Sequence, residues 1–222
     1  MNIRFLNLLL QSGALKFGDF TTKSGRKSPY FVNTGCFDNG KIFSEVSLCY
    51  AEILDATNLI NSSTVLFGPA YKGIPLVVGV AMTLAQNFNQ TVGFCFNRKE
   101  QKDHGEGGRF VGAPLSEETD IIIVEDVLTQ GTSVQETLQL LAEKNLKPSS
   151  VVVGVDREEF GFSKVKLAGR ELEDQGIKVF SLLKISEVID FLSNQDFVGK
   201  RWIDQDQAKR IQSYREQYCR QV

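Results

Sequence analysis

Short β-branched, apolar runs alternate with stretches of helical period along most of this chain, and that alternation restricts its fold more than any other feature. Residues 64–67, 91–96, 121–124, 150–155 and 177–182 read as strands. Between them, Val46, Cys49, Tyr50, Ile53 and Leu54 recur at i, i+3, i+4, i+7 and i+8, and Val134, Leu138 and Leu141 at i, i+4 and i+7. Parallel strands need crossover connections, and helices in those crossovers cover both sheet faces. The pattern therefore predicts an α/β chain with a mostly parallel twisted sheet flanked by helices. Ligands of such sheets bind beyond the carboxyl ends of the strands. Residues 1–40 differ: a helical start, then 14–33 with Gly, Ser, Pro and aromatics in the manner of short strands and turns. They are expected to form a small N-terminal cap. Residues 204–218 place Ala208, Ile211, Tyr214 and Tyr218 near one helical face and are expected to form a C-terminal helix. The 222 residues suit a single domain, 1–222.

Several kinds of chemistry are excluded at this level. His104 is the only histidine, which removes His-pair and H-E-x-x-H mechanisms. The four cysteines, Cys36, Cys49, Cys95 and Cys219, form no C-x-x-C and no cluster, which argues against a thiolate zinc site and suits a reducing cytoplasm. A net charge of −2 lacks the basic excess of a nucleic-acid binder. The longest nearly unbroken apolar stretch, residues 74–85, falls short of the roughly 20 residues that a bilayer requires, and the N-terminus reads as a helix rather than a signal, so no membrane partner is expected.

The most specific local pattern is the run from Ile121 to Ser133, I-I-I-V-E-D-V-L-T-Q-G-T-S. Four strand residues deliver the adjacent carboxylates Glu125 and Asp126 to a strand end, and a Gly/Thr/Ser turn opens a helix. Carboxylates accept hydrogen bonds from vicinal hydroxyls, and main-chain N–H groups at a helix start hold phosphate, so the run suits a ribose phosphate. The plainer alternative is a strand with a solvated acidic tip and a capped helix. A second pattern, R-K-E-Q-K-D-H-G-E-G-G at 98–108, joins Arg98, Lys99, Lys102 and His104 to three glycines within four residues. Pliable backbone with cationic side chains fits a lid over polyphosphate, or a solvated charged loop.

Together these runs resemble the type I phosphoribosyltransferases, and 98–108 resembles the catalytic loop of the orotate phosphoribosyltransferases in particular. The resemblance continues through K-S-G-R-K-S-P-Y-F at 23–31, F-G-P-A-Y-K-G-I-P at 67–75 and D-R at 156–157, and becomes loose after about residue 195. It implies the type I phosphoribosyltransferase fold, and transfer of a phosphoribosyl group from phosphoribosyl pyrophosphate to orotate in the formation of UMP. It also implies a homodimer with shared active sites, and Mg²⁺ held mainly by substrate and water, with no direct protein cage for the metal.

The resemblance assigns contacts to phosphoribosyl pyrophosphate to Lys23, Tyr71, Lys72, Arg98, Lys99, Lys102 and His104. It assigns the same substrate to the run Glu125, Asp126, Val127, Leu128, Thr129, Gln130, Gly131, Thr132 and Ser133. Residues 97–113 become a mobile catalytic loop in which Lys102, His104, Arg98 and Lys99 serve the departing pyrophosphate. Phe31, Val32, Thr129 and Arg157 border orotate, Arg157 through its carboxylate, which a guanidinium can bind by two parallel hydrogen bonds. The competing reading of Arg157 is a surface salt bridge to Glu158 or Glu159. Three positions depart from the family pattern: Glu125 stands where Asp is frequent, Gln130 where a small residue is usual, and Val32 where Phe is common.

Overall fold

A computed structural model describes residues 1–22, 25–100 and 108–219. A six-stranded sheet has the order β5-β4-β3-β6-β7-β8, built from β3 (Thr64–Gly68), β4 (Gly93–Asn97), β5 (Phe110–Gly112), β6 (Asp120–Leu128), β7 (Pro148–Asp156) and β8 (Lys178–Lys184). All neighbouring pairs run parallel except β4 with β5. The five strands expected from the sequence are β3, β4, β6, β7 and β8.

Alternate residues of the central strands feed two apolar layers, as the period of two demands. Leu66, Ile122, Val124 and Val152 face one layer, with buried residues of α1 (Ile3–Gln11), α2 (Gly40–Ala56), α3 (Gly73–Asn87), α6 (Ile185–Asn194) and α7 (Gln205–Tyr218). Phe67, Ile121, Ile123, Val151 and Val153 face the other, with α4 (Thr132–Ala142) and α5 (Ala168–Asp174). Among the described residues, no helix is long and apolar enough to cross a membrane.

The N-terminal segment is α1 followed by the antiparallel hairpin β1 (Leu15–Thr21) and β2 (Lys27–Val32) and a short 3-10 turn at Thr34–Cys36. Asn2, Asn39 and Asp204 cap α1, α2 and α7, each accepting a main-chain N–H from the first turn of its helix. The contacts of α7 with β2 tie the end of the chain to this hairpin.

Two features differ from the expectation. Strand β6 continues to Leu128, so Glu125, Asp126, Val127 and Leu128 lie within a strand rather than past its tip, and the connecting turn is reduced to 129–131. Pairing with β7, through Glu125 with Val153, Val127 with Val155 and Leu128 with Asp156, extends β6 beyond its apolar run. The segment 97–113 is also held at both ends: Asn97 pairs with Phe110, and Arg98 donates its main-chain N–H to the Arg109 carbonyl at 2.8 Å. Residues 101–107, with Lys102 and His104, lie outside the described residues, as does Lys23.

Candidate active site

The carboxyl ends of β3, β4, β6 and β7 bring the candidate residues to one edge of the sheet. After β3, Gly68 and Gly73 approach so closely that a Cβ on Gly68 would lie 2.2 Å from the Gly73 carbonyl oxygen. This contact folds Pro69, Ala70, Tyr71 and Lys72 into a tight loop at the start of α3. The Ala70–Tyr71 peptide is cis, and the Ala70 N–H donates to Asn97 Oδ1 at 3.0 Å, which fixes the loop to the end of β4. Tyr71 is exposed, with the Lys99 ammonium 5.1 Å from its ring centroid.

Lys72 Nζ donates to Asp126 Oδ2 at 3.1 Å, and the Thr34 hydroxyl donates to the same oxygen. Asp126 thereby faces a cleft of about 140 Å³ lined by Thr34, Gly35, Tyr50, Lys72 and Leu76, among others. A second cleft of about 260 Å³ is lined by Pro69, Asn97, Arg98, Lys99, Arg109 and Ser133, among others. The β3–α3 loop contributes to both, Lys72 to the cleft that holds Asp126 and Pro69 and Ala70 to the cleft that holds Arg98 and Lys99.

Glu125 turns the other way, because consecutive strand residues face opposite sides of a sheet. It is buried, accepting the Ser133 hydroxyl on Oε2 at 2.5 Å and the Asp126 main-chain N–H on Oε1 at 3.1 Å. Burial, reinforced by the adjacent Asp126 charge, pushes its pKa up to about 8. The two carboxylates thus have separate surroundings: Asp126 faces the open cleft, whereas Glu125 braces the first turn of α4. Gly131 precedes that turn at φ +84° with no side chain to cap it, leaving the first-turn amides able to meet an anion. Gln130 extends from the same turn, its amide 3.5 Å from the Gly161 carbonyl.

Arg157 follows β7, and its main-chain N–H donates to the Leu128 carbonyl at 3.0 Å, which sets it beside Thr129. Its side chain is buried against the Tyr30 ring, 4.7 Å from the centroid, and donates from Nε to Glu159 Oε1 at 2.9 Å. Burial opposes the arginine charge, but Glu159, Tyr30 and Tyr214 outweigh it and raise the pKa above the ordinary arginine value. The competing reading places a salt bridge to Glu158 or Glu159 at the surface; the structure pairs Arg157 with Glu159, and the pair is buried because β2 and α7 cover it. Phe31 is on β2, its ring stacked on Phe20 at 5.5 Å, and Val32 is buried opposite Leu15.

The structure therefore joins Lys72 to Asp126, Lys99 to Tyr71, Glu125 to Ser133, and Arg157 to the end of β6. Sequence reasoning does not single out Thr34 or Asn97, and marks Tyr214 only as a packing position of the C-terminal helix. None stands in a motif of its own; each matters through a partner distant in the chain.

Residues 37–182 match the phosphoribosyl transferase domain family. The orotate phosphoribosyltransferase of Lachnoclostridium phytofermentans is 44% identical over 217 residues, covering 96% of this chain and 95% of that protein. That of Pseudomonas putida is 39% identical over 214 residues, covering 96% of each. Among solved structures, the orotate phosphoribosyltransferase of Francisella tularensis has a TM-score of 0.81 at 31% identity, covering 97% of this chain and 99% of that one. An adenine phosphoribosyltransferase from Saccharomyces cerevisiae shares the fold, with a TM-score of 0.58 at 18% identity over 82% of this chain and 100% of that one.

Proposed function

From the premise that the chain belongs to the phosphoribosyl transferase family, and within it to the orotate phosphoribosyltransferases, we propose that it transfers the phosphoribosyl group of phosphoribosyl pyrophosphate to orotate. The products are orotidine 5′-monophosphate and pyrophosphate, a step toward UMP. The observation that carries this reading is the Lys72–Asp126 pair across the ends of β3 and β6, with Arg157 beside the end of the same β6 strand. One carboxylate for ribose hydroxyls, cations for phosphates and a guanidinium for a base-borne carboxylate match the three chemical parts of the two substrates.

In the reaction the C1–oxygen bond to pyrophosphate breaks and the electron pair leaves with pyrophosphate, while N1 of orotate gives up its proton to pyrophosphate or water and forms the new bond to C1. Positive charge grows on the sugar and negative charge on the leaving group. Catalysis then consists of holding the reactants in line and of meeting those charges, with no covalent enzyme nucleophile. Asp126 holds the ribose hydroxyls from the open cleft. The turn at 129–131 and the start of α4 receive the 5-phosphate through main-chain N–H groups, with Glu125 and Ser133 fixing that turn.

Lys72, Arg98 and Lys99 border the two clefts and neutralise pyrophosphate, joined by Lys23, Lys102 and His104, whose roles rest on the family resemblance. Phe31 and Val32 border the base. Among the described residues there is no group of three ligating side chains; the oxygen donor that faces the cleft is Asp126, and it suits a hard ion that keeps much of its shell from substrate and water. Asp126 would help to hold Mg²⁺ through substrate and water, and the ion would supply charge neutralisation for the departing pyrophosphate. The chain acts as a homodimer with shared active sites in the cytoplasm.

Incubating the purified protein with phosphoribosyl pyrophosphate, Mg²⁺ and orotate, uracil, adenine or hypoxanthine in turn, and following pyrophosphate release, tests the reading. Release is expected with orotate alone and is expected to stop on chelation of the metal. Release with a purine and not orotate would make this a transferase for another base. Bound phosphoribosyl pyrophosphate with no release under any base would make it a sensor.

A further inference from the structure

The buried group that the proposed mechanism leaves without a task is Glu159. Its side chain is 4% exposed, and it joins the nearby Arg157 to partners from two distant parts of the chain. Oε1 accepts from Arg157 Nε at 2.9 Å and from the Tyr214 hydroxyl of α7 at 2.5 Å, and lies 2.7 Å from Arg157 Nη2. Oε2 accepts from Arg26 Nη1, in the cap, at 3.0 Å. Arg157 Nη2 also donates to Ser28 Oγ at 3.2 Å and to Tyr214 Oη at 3.3 Å. The Tyr30 ring, on which the Arg157 guanidinium rests, meets the Tyr214 ring edge-on at 5.6 Å.

A guanidinium carries five N–H donors in a rigid plane, so fixing two of its nitrogens fixes the third. Here Nε and Nη2 are held by Glu159, Ser28 and Tyr214, and among the described residues none bonds to Nη1, whose N–H groups are left to meet a ligand carboxylate. We propose that Glu159 is the positioning residue for orotate recognition, holding Arg157 in one orientation with Tyr214 of the C-terminal helix as its brace. The inference rests on the reading that Arg157 meets the orotate carboxylate. It gives α7, whose sequence carries the loosest family resemblance, a part in choosing the base. Glu159 itself touches no substrate.

The test compares binding of orotidine 5′-monophosphate and uridine 5′-monophosphate, which differ only by that carboxylate, in the wild-type protein and in the variants E159Q, Y214F and R157Q. Wild type should prefer orotidine 5′-monophosphate. E159Q keeps the side-chain shape but removes the charge, and should lower that preference by about tenfold while leaving uridine 5′-monophosphate and phosphoribosyl pyrophosphate binding within about twofold. Y214F keeps the ring on Tyr30, loses the bond to Glu159, and should lower the preference by about threefold.

A folded E159Q with an unchanged preference, or one that weakens both nucleotides equally, overturns the positioning role. Where E159Q does not fold, Y214F decides by the same criterion. A preference that falls in R157Q but not in E159Q or Y214F defeats this inference and leaves the role of Arg157 standing. One that does not fall even in R157Q defeats the Arg157 reading itself.

Discussion

The ends of β6 and β7 each set a carboxylate against a cation, and the two pairs are built to opposite ends. At β6, Asp126 meets Lys72 through a single 3.1 Å contact, with the lysine side chain 54% exposed. At β7, Arg157 meets Glu159 with both side chains 4% exposed and further bonds to Arg26, Ser28 and Tyr214. Asp126 is 15% exposed, but its partner stands mostly in water, and a pair with an exposed cation is weak and readily exchanged for a ligand, so the β6 end can open to substrate. A buried pair contributes little net stability, yet removing one partner strands the other charge away from water. The first is a site in waiting and the second a scaffold, although the same residue classes make both.

The sharpest way to break this contrast is Glu159→Ala, which leaves two guanidinium groups facing an apolar gap. Unfolding in urea should report a loss of about 3–5 kcal/mol. A loss below about 1 kcal/mol would mean that water reaches Arg157 and that the two ends are alike.

Glu125 tests the same idea within β6, since it is the dry neighbour of the open Asp126. Its folded pKa of about 8 lies above the ordinary 4.5, so the folded chain holds a proton that the unfolded chain releases. The stabilisation is complete below pH 4.5 and is lost as pH rises through about 8, on the order of 5 kcal/mol in all. Melting temperatures of the wild type should therefore fall from pH 5 to 8, and Glu125→Gln should flatten the fall. Equal slopes would put Glu125 in the open cleft with Asp126. The smallest change in stability belongs to Lys72→Ala, within about 1 kcal/mol of wild type by the same urea measurement. Its phosphoribosyl pyrophosphate affinity should nonetheless fall at least about tenfold in a calorimetric titration. A large stability loss there would make Lys72 structural.

Much of the architecture could be read from local pattern. The β-branched apolar runs ending at Phe67, Val124 and Val155 became β3, β6 and β7, and the helical stripe beginning at Val46 became α2. Strand β5 escaped because three residues behind a charged, glycine-rich stretch carry no period, and their pairing with β4 is what makes them a strand. Helices α3, α5 and α6 also went unread, α3 because its nearly unbroken apolar run shows no helical stripe and α5 because seven residues hold only two buried positions, Ala168 and Leu172. In the candidate site, Lys72, Asp126 and Arg157 were legible because each follows or ends a strand in a motif. The divergence of Glu125 from Asp126 was implicit in the strand period, but it required knowing that β6 continued past them.

What the sequence determined by itself is what depends on near neighbours: strand and helix period, the crossover order that makes the sheet parallel, and the short motifs that carry the family. What only the tertiary structure decided is which charges are dry. Glu159 lies 55 positions from Tyr214 and 133 from Arg26 along the chain, and in sequence it is one acidic residue in a D-R-E-E run. Desolvation is imposed by whatever covers a group, here β2 and α7 arriving from opposite ends of the chain, and no local pattern encodes that cover.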